Sequence, residues 1–264
     1  MQNYTQWGVD YLKYDNCYHP PFKSAPERYE RMTEALEESE RDFFFGICNW
    51  GFEDTVSWAP KMAHSWRTTQ DISDKWSSVV YNFQMNQQSE GEEGPLIGWN
   101  DPDMLEIGNG NLSIVQQKTH FTLWAMAKAP LLLGCDLTSL TSEIMEVIGN
   151  AEVISVNQDD LGVQAKCVRY CDTYDAAQVL TAPMKSESDN EIYAIEFINF
   201  SGSEITIPAL RWEQDLQLPH DTWAVRDLWA KKDEEVAHEV YRAVTLEPYG
   251  SHLIRVEKSV TAIQ

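Results

Sequence analysis

Near-continuous apolar runs that end in polar residues recur through the first part of the chain, at 9–15, 43–49, 64–71, 96–104 and 129–137. Runs of this kind belong to strands buried on both faces, as in a parallel sheet. The stretches between them, 25–41, 72–88, 114–128 and 139–148, are compatible with helices. Strand and helix therefore alternate at intervals of roughly thirty residues, the rhythm of a (β/α) barrel. Five such units can be counted, whereas a closed barrel has eight. The predicted fold is α/β: a partial (β/α)8 TIM barrel made of about its last five units, lacking the first three. Beyond about residue 160 the pattern changes to short β-prone segments at 178–181, 191–198, 204–208, 222–227 and 252–256, which predict a small antiparallel β-sandwich. The expected domains are 1–160 and 161–264. Polar stretches 185–190 and 231–235 read as hairpin turns and solvated faces.

Within the first run, strand alternation puts Tyr11, Lys13 and Asp15 on one face and Leu12 and Tyr14 on the other. Lys13 is a charge inside an apolar strand and needs a partner. Asp15, two residues along the same face, is the nearest in sequence, and Lys13 is expected to keep it ionised. A purely structural ion pair is the alternative. The third run ends in Arg67 through Asp71, again a cation and a carboxylate at a strand end. In the fourth, Pro102 between two acids cannot continue a strand, so the chain turns and either presents Asp101 or Asp103 to the rim or uses them as turn caps. In a parallel barrel, active sites form at this C-terminal end of the strands. With Trp50, Trp66 and Trp99 beside the acids, the expected ligand is a neutral polyhydroxylated one, most simply a sugar: aromatic faces pack its apolar side and charged groups bond its hydroxyls. Glycoside hydrolysis needs one anionic and one protonated carboxyl group.

Composition narrows the partners. The formal charge of −22 excludes binding through phosphate contacts, so no nucleic-acid partner is expected. No run of about 18 apolar residues is present and no membrane span is predicted. Residues 1–4 do not read as a signal peptide. Three sequons, at Asn3, Asn111 and Asn199, are candidate glycan acceptors if the protein is secreted. Of the five cysteines, Cys167 and Cys171 can close a small loop, while Cys17, Cys48 and Cys135 lie near strand-like runs as buried thiols or as halves of bridges. No metal site and no cofactor are predicted.

The segments Tyr11–Cys17, 66–71, 99–105 and 156–159, with Asp227-Leu228-Trp229 and His252-Leu253-Ile254 further on, resemble the signature segments of glycoside hydrolase family 27, the melibiase-type α-galactosidases. The resemblance runs from the first residues into the sandwich. It implies that Asp15 is the nucleophile and Asp71 the acid/base of a retaining exo-glycosidase acting on terminal α-D-galactosyl residues. It also implies that Lys13, Cys17, Asn49, Trp50, Arg67 and Asp103 belong to the substrate-binding set. The loop at Asn49-Trp50 falls where the family reads the substituent at sugar carbon 2, and the bulk of Trp50 favours a hydroxyl there. A further implication is that an N-terminal part is missing, with groups that hold the sugar's 4- and 6-hydroxyls and a cysteine that pairs with Cys17. The protein is then expected to be secreted and to act on α-galactoside oligosaccharides or galactosylated polymers. Kept open beside this are a truncated, inactive or merely sugar-binding homologue, and an enzyme for α-N-acetylgalactosaminides or β-L-arabinopyranosides.

Overall fold

The computed structural model describes residues 2–89, 94–172, 176–186, 190–219 and 221–258. The chain divides into two compact units, Met1–Ile72 with Asn82–Asp103, and Ser73–Tyr81 with Met104–Gln264.

The first unit is built on a four-stranded parallel sheet of β1 (Tyr11–Asp15), β2 (Phe44–Cys48), β3 (Ser65–Arg67) and β4 (Trp99–Asp101), ordered β1-β2-β3-β4. Short helix α1 (Gln2–Gln6) precedes it; α2 (Ala25–Glu37) and α3 (Thr55–Trp58) lie in its connections. Helix α2 begins where a helix start is expected: Ser24 and Glu27 form a reciprocal capping box and Pro26 sits in the first turn, where its missing N–H costs nothing. One face of the sheet, carrying Leu12, Phe45, Ile47 and Trp66, packs with Ala25, Tyr29, Ala59 and Ala63 into this unit's hydrophobic core.

Four expected strands are present but shorter at their ends. β3 stops at Arg67, leaving 68–71 as a rim segment. β4 starts only at Trp99, because Gly94 and Gly98 form a bridge of their own and Gly98 takes φ 129°. It ends at Asp101 because Pro102 has no N–H to donate. The fifth expected strand, 129–137, does not form. Leu133 makes a single parallel bridge to Leu105, with Leu105 N–H on Leu132 O and Gly134 N–H on Leu105 O. Pro130 removes a donor from that segment, and Asp136 caps a short 3₁₀ turn, Leu137–Ser139, that ends it.

Helix α4 (Trp76–Gln87) starts four residues later than expected. The second unit contains α5 (Ile114–Met126), capped by a Ser113/Gln116 box, then α6 (Ser142–Ile148), capped by Thr141. Helix α7 (Ala151–Asn157) follows, capped by Asn150 and not anticipated in the sequence. Asn157, at its last position, donates to Trp124 O and Ala129 O and so tethers it to the end of α5.

The antiparallel part comprises β5 (Lys166–Arg169), β6 (Ala177–Met184), β7 (Ile192–Asn199), β8 (Ile205–Ile207), β9 (Leu210–Arg211) and β10 (Trp223–Asp227), with the four-residue helix α8 (Trp212–Asp215) before β10. It continues with β11 (Lys232–Asp233), β12 (Val240–Tyr241), β13 (Val244–Leu246) and β14 (Ser251–Lys258). Six of these form one sheet, β11-β10-β14-β7-β6-β5; β12-β9 and β13-β8 are two-stranded pairs. Their shared core contains Val179, Ile195, Phe197, Trp212, Trp223 and Tyr241. The stretch 231–235, expected to be only a turn, includes β11; 187–189 of the other expected turn lie outside the described residues. Cys167 and Cys171 are disulfide-bonded; Cys17, Cys48 and Cys135 are free. The sequon at Asn199 is fully buried, its amide donating to Ser203 O, Leu246 O and Glu247 O, so it is closed to a glycan, whereas Asn3 and Asn111 are exposed. Among the described residues no helix is long and apolar enough to cross a membrane.

Candidate active site

The parallel register determines which side chains meet. Lys13 pairs with Gly46, Asp15 with Cys48, Gly46 with Ser65, and Arg67 with Asp101. Because strand neighbours in register point the same way, Tyr11, Lys13, Asp15, Cys48, Ser65, Arg67 and Asp101 share the face opposite the hydrophobic core. That face carries this unit's concentrated charge.

Asp15 is the last residue of β1 and is exposed. Its Oδ1 accepts the Asn16 N–H at 2.7 Å and its Oδ2 accepts the Cys17 thiol at 3.2 Å. Partial burial opposes ionisation, but the Asn16, Cys17 and Cys48 hydrogen bonds and the Lys13 charge outweigh it, holding the carboxyl below the ordinary aspartate range. The sequence suggested Lys13 as Asp15's ion-pair partner. The ammonium instead pairs with Asp103, Nζ to Oδ1 3.9 Å, and its influence on Asp15 ranks after the hydrogen bonds. The reason is cross-strand: Asp103 is held in place by a second cation-bearing strand, which sequence proximity cannot reveal.

That element is β3, ending in Arg67. Its guanidinium is buried and acts as a hub: Nη2 pairs with Asp103 Oδ2 at 2.9 Å and with Asp71 Oδ1 at 3.3 Å, and donates to Thr69 O at 3.0 Å. Nη1 lies 3.7 Å from Cys48 Sγ. Asp71 stands beyond the strand end with 77% of its side chain exposed. Its segment is fixed from behind: Asn82 donates to Gln70 O at 3.0 Å and to Pro102 O at 2.9 Å, Thr68 donates to Asn86 Oδ1 at 2.7 Å, and Ile72 N–H donates to Asp103 Oδ2 at 2.9 Å.

Both acids flanking Pro102 are buried. Asp101 Oδ1 accepts the Asp103 N–H at 2.8 Å, which stabilises the left-handed turn at Asp103, φ 89°. Burial raises the Asp101 carboxyl, against the pull of Arg67 and Lys13. Asp103 is the counter-ion of both cations. Of the two sequence readings, turn cap describes Asp101, and Asp103 is an internal charge partner.

The loop after β2 also differs from expectation. Asn49 is fully buried and its amide is used inside the protein: Oδ1 accepts from Asn16 Nδ2 at 2.8 Å, and Nδ2 donates to Phe52 O at 2.6 Å and Thr55 Oγ1 at 3.0 Å. It orders the turn instead of facing outward. Trp50, in the left-handed region at φ 53°, is the half-buried side chain there, edge-on to Phe52. Trp66, expected beside the sugar, is in the core with its indole N–H on Asn100 Oδ1 at 2.7 Å. Trp99 is half-buried on the polar face. Cys17 is an exposed thiol on Asp15. Beside Asp15 a cavity of about 540 Å³ opens, walled by Tyr14, Cys17, Tyr18, Arg28 and Tyr29 among others.

The sequence marks Cys48 as a buried thiol or half of a bridge, not as part of the site. Its signal was present, since it and Asp15 are the last residues of neighbouring strands, but only the register turns that into a contact. The set therefore brings Asp15, its register partner Cys48, Arg67 and Asp71 to one end of the sheet. It offers an ionised carboxylate, an exposed second carboxylate and a fixed cation, the groups that paired nucleophilic and acid/base chemistry uses.

The family model described as "Alpha galactosidase A" matches residues 1–159, and "Alpha galactosidase C-terminal beta sandwich domain" matches residues 174–256. The chain is 42% identical to an α-galactosidase of Oryza sativa subsp. japonica, over 87% of this chain and 53% of that protein. It is 46% identical to an α-galactosidase of Cyamopsis tetragonoloba, over 86% of this chain and 53% of that protein. The crystal structure of α-galactosidase I from Mortierella vinacea superposes with a TM-score of 0.84 at 28% identity, covering 98% of this chain and 70% of that one. The chain thus spans about half the length of the curated relatives it matches. Family models over both parts of the chain, together with a four-stranded parallel sheet followed by antiparallel sheets, establish that it belongs to the melibiase-type α-galactosidases, glycoside hydrolase family 27, as a partial barrel followed by the family's β-sandwich.

Proposed function

We propose that this chain carries the two catalytic acids of a retaining exo-glycosidase that releases terminal α-D-galactosyl residues from oligosaccharides or galactosylated polymers. The observation that carries the reading is the state of Asp15: a strand-end carboxylate that accepts the Asn16 N–H and the Cys17 thiol and is held below the ordinary aspartate range, on the same rim as Arg67 and its ion-pair partner, the exposed Asp71. Asp15 attacks the anomeric carbon while Asp71 protonates the departing glycosidic oxygen, giving a covalent glycosyl-enzyme. Asp71 then takes a proton from water, which attacks the same carbon and frees Asp15, so configuration is retained. This double displacement calls for carboxyl groups about 5–5.5 Å apart in the sugar-bound protein. Lys13, Cys17, Trp50 and Trp99 supply the surrounding polar and aromatic surface, with Asn49 and Asp103 acting from beneath it. Secretion suits the disulfide, the acidic charge and two exposed sequons at Asn3 and Asn111.

A second reading, sugar binding without turnover, has one observation in its favour: β1, which carries Asp15, is an edge strand of the sheet. Hydrolysis of aryl α-galactoside, α-N-acetylgalactosaminide and β-L-arabinopyranoside by wild type, Asp15→Asn and Asp71→Asn separates these readings. The expected outcome is a preference for the α-galactoside, no turnover by Asp15→Asn, and a loss of about 10²–10⁴-fold in Asp71→Asn that azide partly restores. Retained activity in Asp15→Asn would sink the assignment; saturable galactose binding by an inactive wild type would favour the second reading.

A further inference from the structure

We propose that Trp76 is a positioning residue for Asp71: by donating its indole N–H to the carbonyl of Phe200, it anchors in the antiparallel part the chain that leaves the exposed acid. The purpose of this anchor rests on Asp71 being the acid/base; the anchor itself does not.

The Asp71 side chain is largely exposed and its ion pair with Arg67 spans 3.3 Å, so its direction depends on the backbone to either side. Within the first unit, Gln70 O accepts from Asn82 and Ile72 N–H donates to Asp103. Beyond Ile72, only Ser73, Asp74 and Lys75 precede Trp76, the first residue of α4. This stretch is held within the second unit: Ser73 N–H donates to Ser78 Oγ at 3.0 Å, Asp74 Oδ2 accepts from the Asn111 amide, and Trp76 Nε1 donates to Phe200 O at 3.0 Å.

The receiving end is itself fixed. Buried Asn199 ties the turn together, its amide on Ser203 O, Leu246 O and Glu247 O and its Oδ1 accepting from Ser201 N–H and hydroxyl. Phe200 N–H donates to Ala176 O, which leaves the Phe200 carbonyl for Trp76. Tyr249 donates its N–H to Ser201 O, accepts from Thr119 on α5, and stands at φ 64°, a conformation that a bulky aromatic takes only where its surroundings hold it. Its ring meets Trp76 edge-on, with centroids 5.5 Å apart. Gly202 passes that ring so closely that a Cβ would lie 2.7 Å from the Tyr249 hydroxyl.

A general acid works only within hydrogen-bond reach of the oxygen it protonates. Slack in the chain after Asp71 therefore slows cleavage where the departing oxygen needs a proton, and much less where it leaves as a stable anion. A half-buried tryptophan that merely covers apolar surface is the competing account, and it predicts no such distinction.

Trp76→Phe keeps an aromatic ring and removes the donor. Gly202→Ala pushes on Tyr249 from the other side and serves if Trp76→Phe does not fold; Val256→Ala, in the sandwich core, controls for general loss of stability. Backbone hydrogen exchange is followed by mass spectrometry on the full chain. In parallel, kcat/KM, which reports the first displacement, is measured for methyl and dinitrophenyl α-galactosides. Amides of 72–79 are expected to exchange about 3–10-fold faster in Trp76→Phe, the effect of one hydrogen bond, and at the wild-type rate in Val256→Ala. The methyl glycoside should lose about 10–100-fold in kcat/KM and the dinitrophenyl glycoside less than about threefold, the same asymmetry as in Asp71→Asn. Unchanged exchange over 72–79 in both Trp76→Phe and Gly202→Ala, or equal losses on the two glycosides, would overturn the proposal. If exchange rises as expected while the wild type hydrolyses nothing, or Asp71→Asn shows no asymmetry, the anchor stands and it is the acid/base reading that fails.

Discussion

At Gly51 the chain passes beneath the candidate site with φ 77°, and a Cβ placed there would lie 2.4 Å from the Thr68 carbonyl oxygen. Its N–H donates to Arg67 O, so this one residue joins the Trp50 turn to the strand end that carries the guanidinium. Since the obstacle is backbone, a side chain cannot be accommodated by a rotamer change. Gly51→Ala is expected to cost more than about 2 kcal/mol of stability and to lower activity even where the protein still folds, checked by urea unfolding and by kcat/KM. At this scale the site is legible in the sequence where a residue's neighbours are local. Asp15 and Arg67 at strand ends, and Pro102 as a stop, follow from alternation and from proline's missing donor, whereas Asp71, expected at the end of its strand, lies on the rim segment past Arg67. What sequence could not reveal is long-range: that Lys13 turns to Asp103, that Asn49 spends its amide on Asn16 and Thr55, and that Cys48 falls in register with Asp15.

Among the elements, four parallel strands were legible because each is a short apolar run with a polar end, and the fifth was misread because 129–137 has the same composition but contains Pro130 and pairs through one residue only. Helix α7 was missed because seven residues give too little periodicity to stand out from the flanking polar segment. Two elements of the second unit carry buried ionisable groups with opposite pH consequences. On β7, Glu196 is fully buried; desolvation raises its carboxyl well above the ordinary 4.5, with the Ser251 hydroxyl opposing. A raised folded-state value means the folded chain holds a proton that the unfolded chain has released, so stability is full below about 4.5 and falls as pH rises towards the folded value. On α5, His120 is fully buried and accepts the Glu106 N–H on Nε2. Burial lowers it from 6.5 to about 3. Here the unfolded chain gains the proton first, so stability falls as pH drops below about 6.5. Thermal unfolding between pH 4 and 8 is therefore expected to peak at mildly acidic pH. Glu196→Gln should raise Tm at pH 8 by about 2–4 °C and leave it little changed near pH 4.5. A Tm difference that is the same at both pH values would show that Glu196 does not titrate with folding.

For the whole molecule, composition told more about partners than about fold. The charge of −22 speaks against a polyanion and for an acidic working range, where part of the self-repulsion is relieved. The change from strand–helix alternation to short strands marked two architectures in the chain, and the family models match along the same order. The central claim is that Asp15 forms the covalent glycosyl-enzyme, and the most direct measurement is to trap it. A galactose-configured mechanism-based reagent, such as a fluorosugar with a good leaving group, is incubated with the full chain, which is then digested and mapped by mass spectrometry. The account predicts a single sugar adduct on the peptide containing Asp15, absent in Asp15→Asn; an adduct on Asp71, Asp101 or Asp103, or none while hydrolysis proceeds, would contradict it.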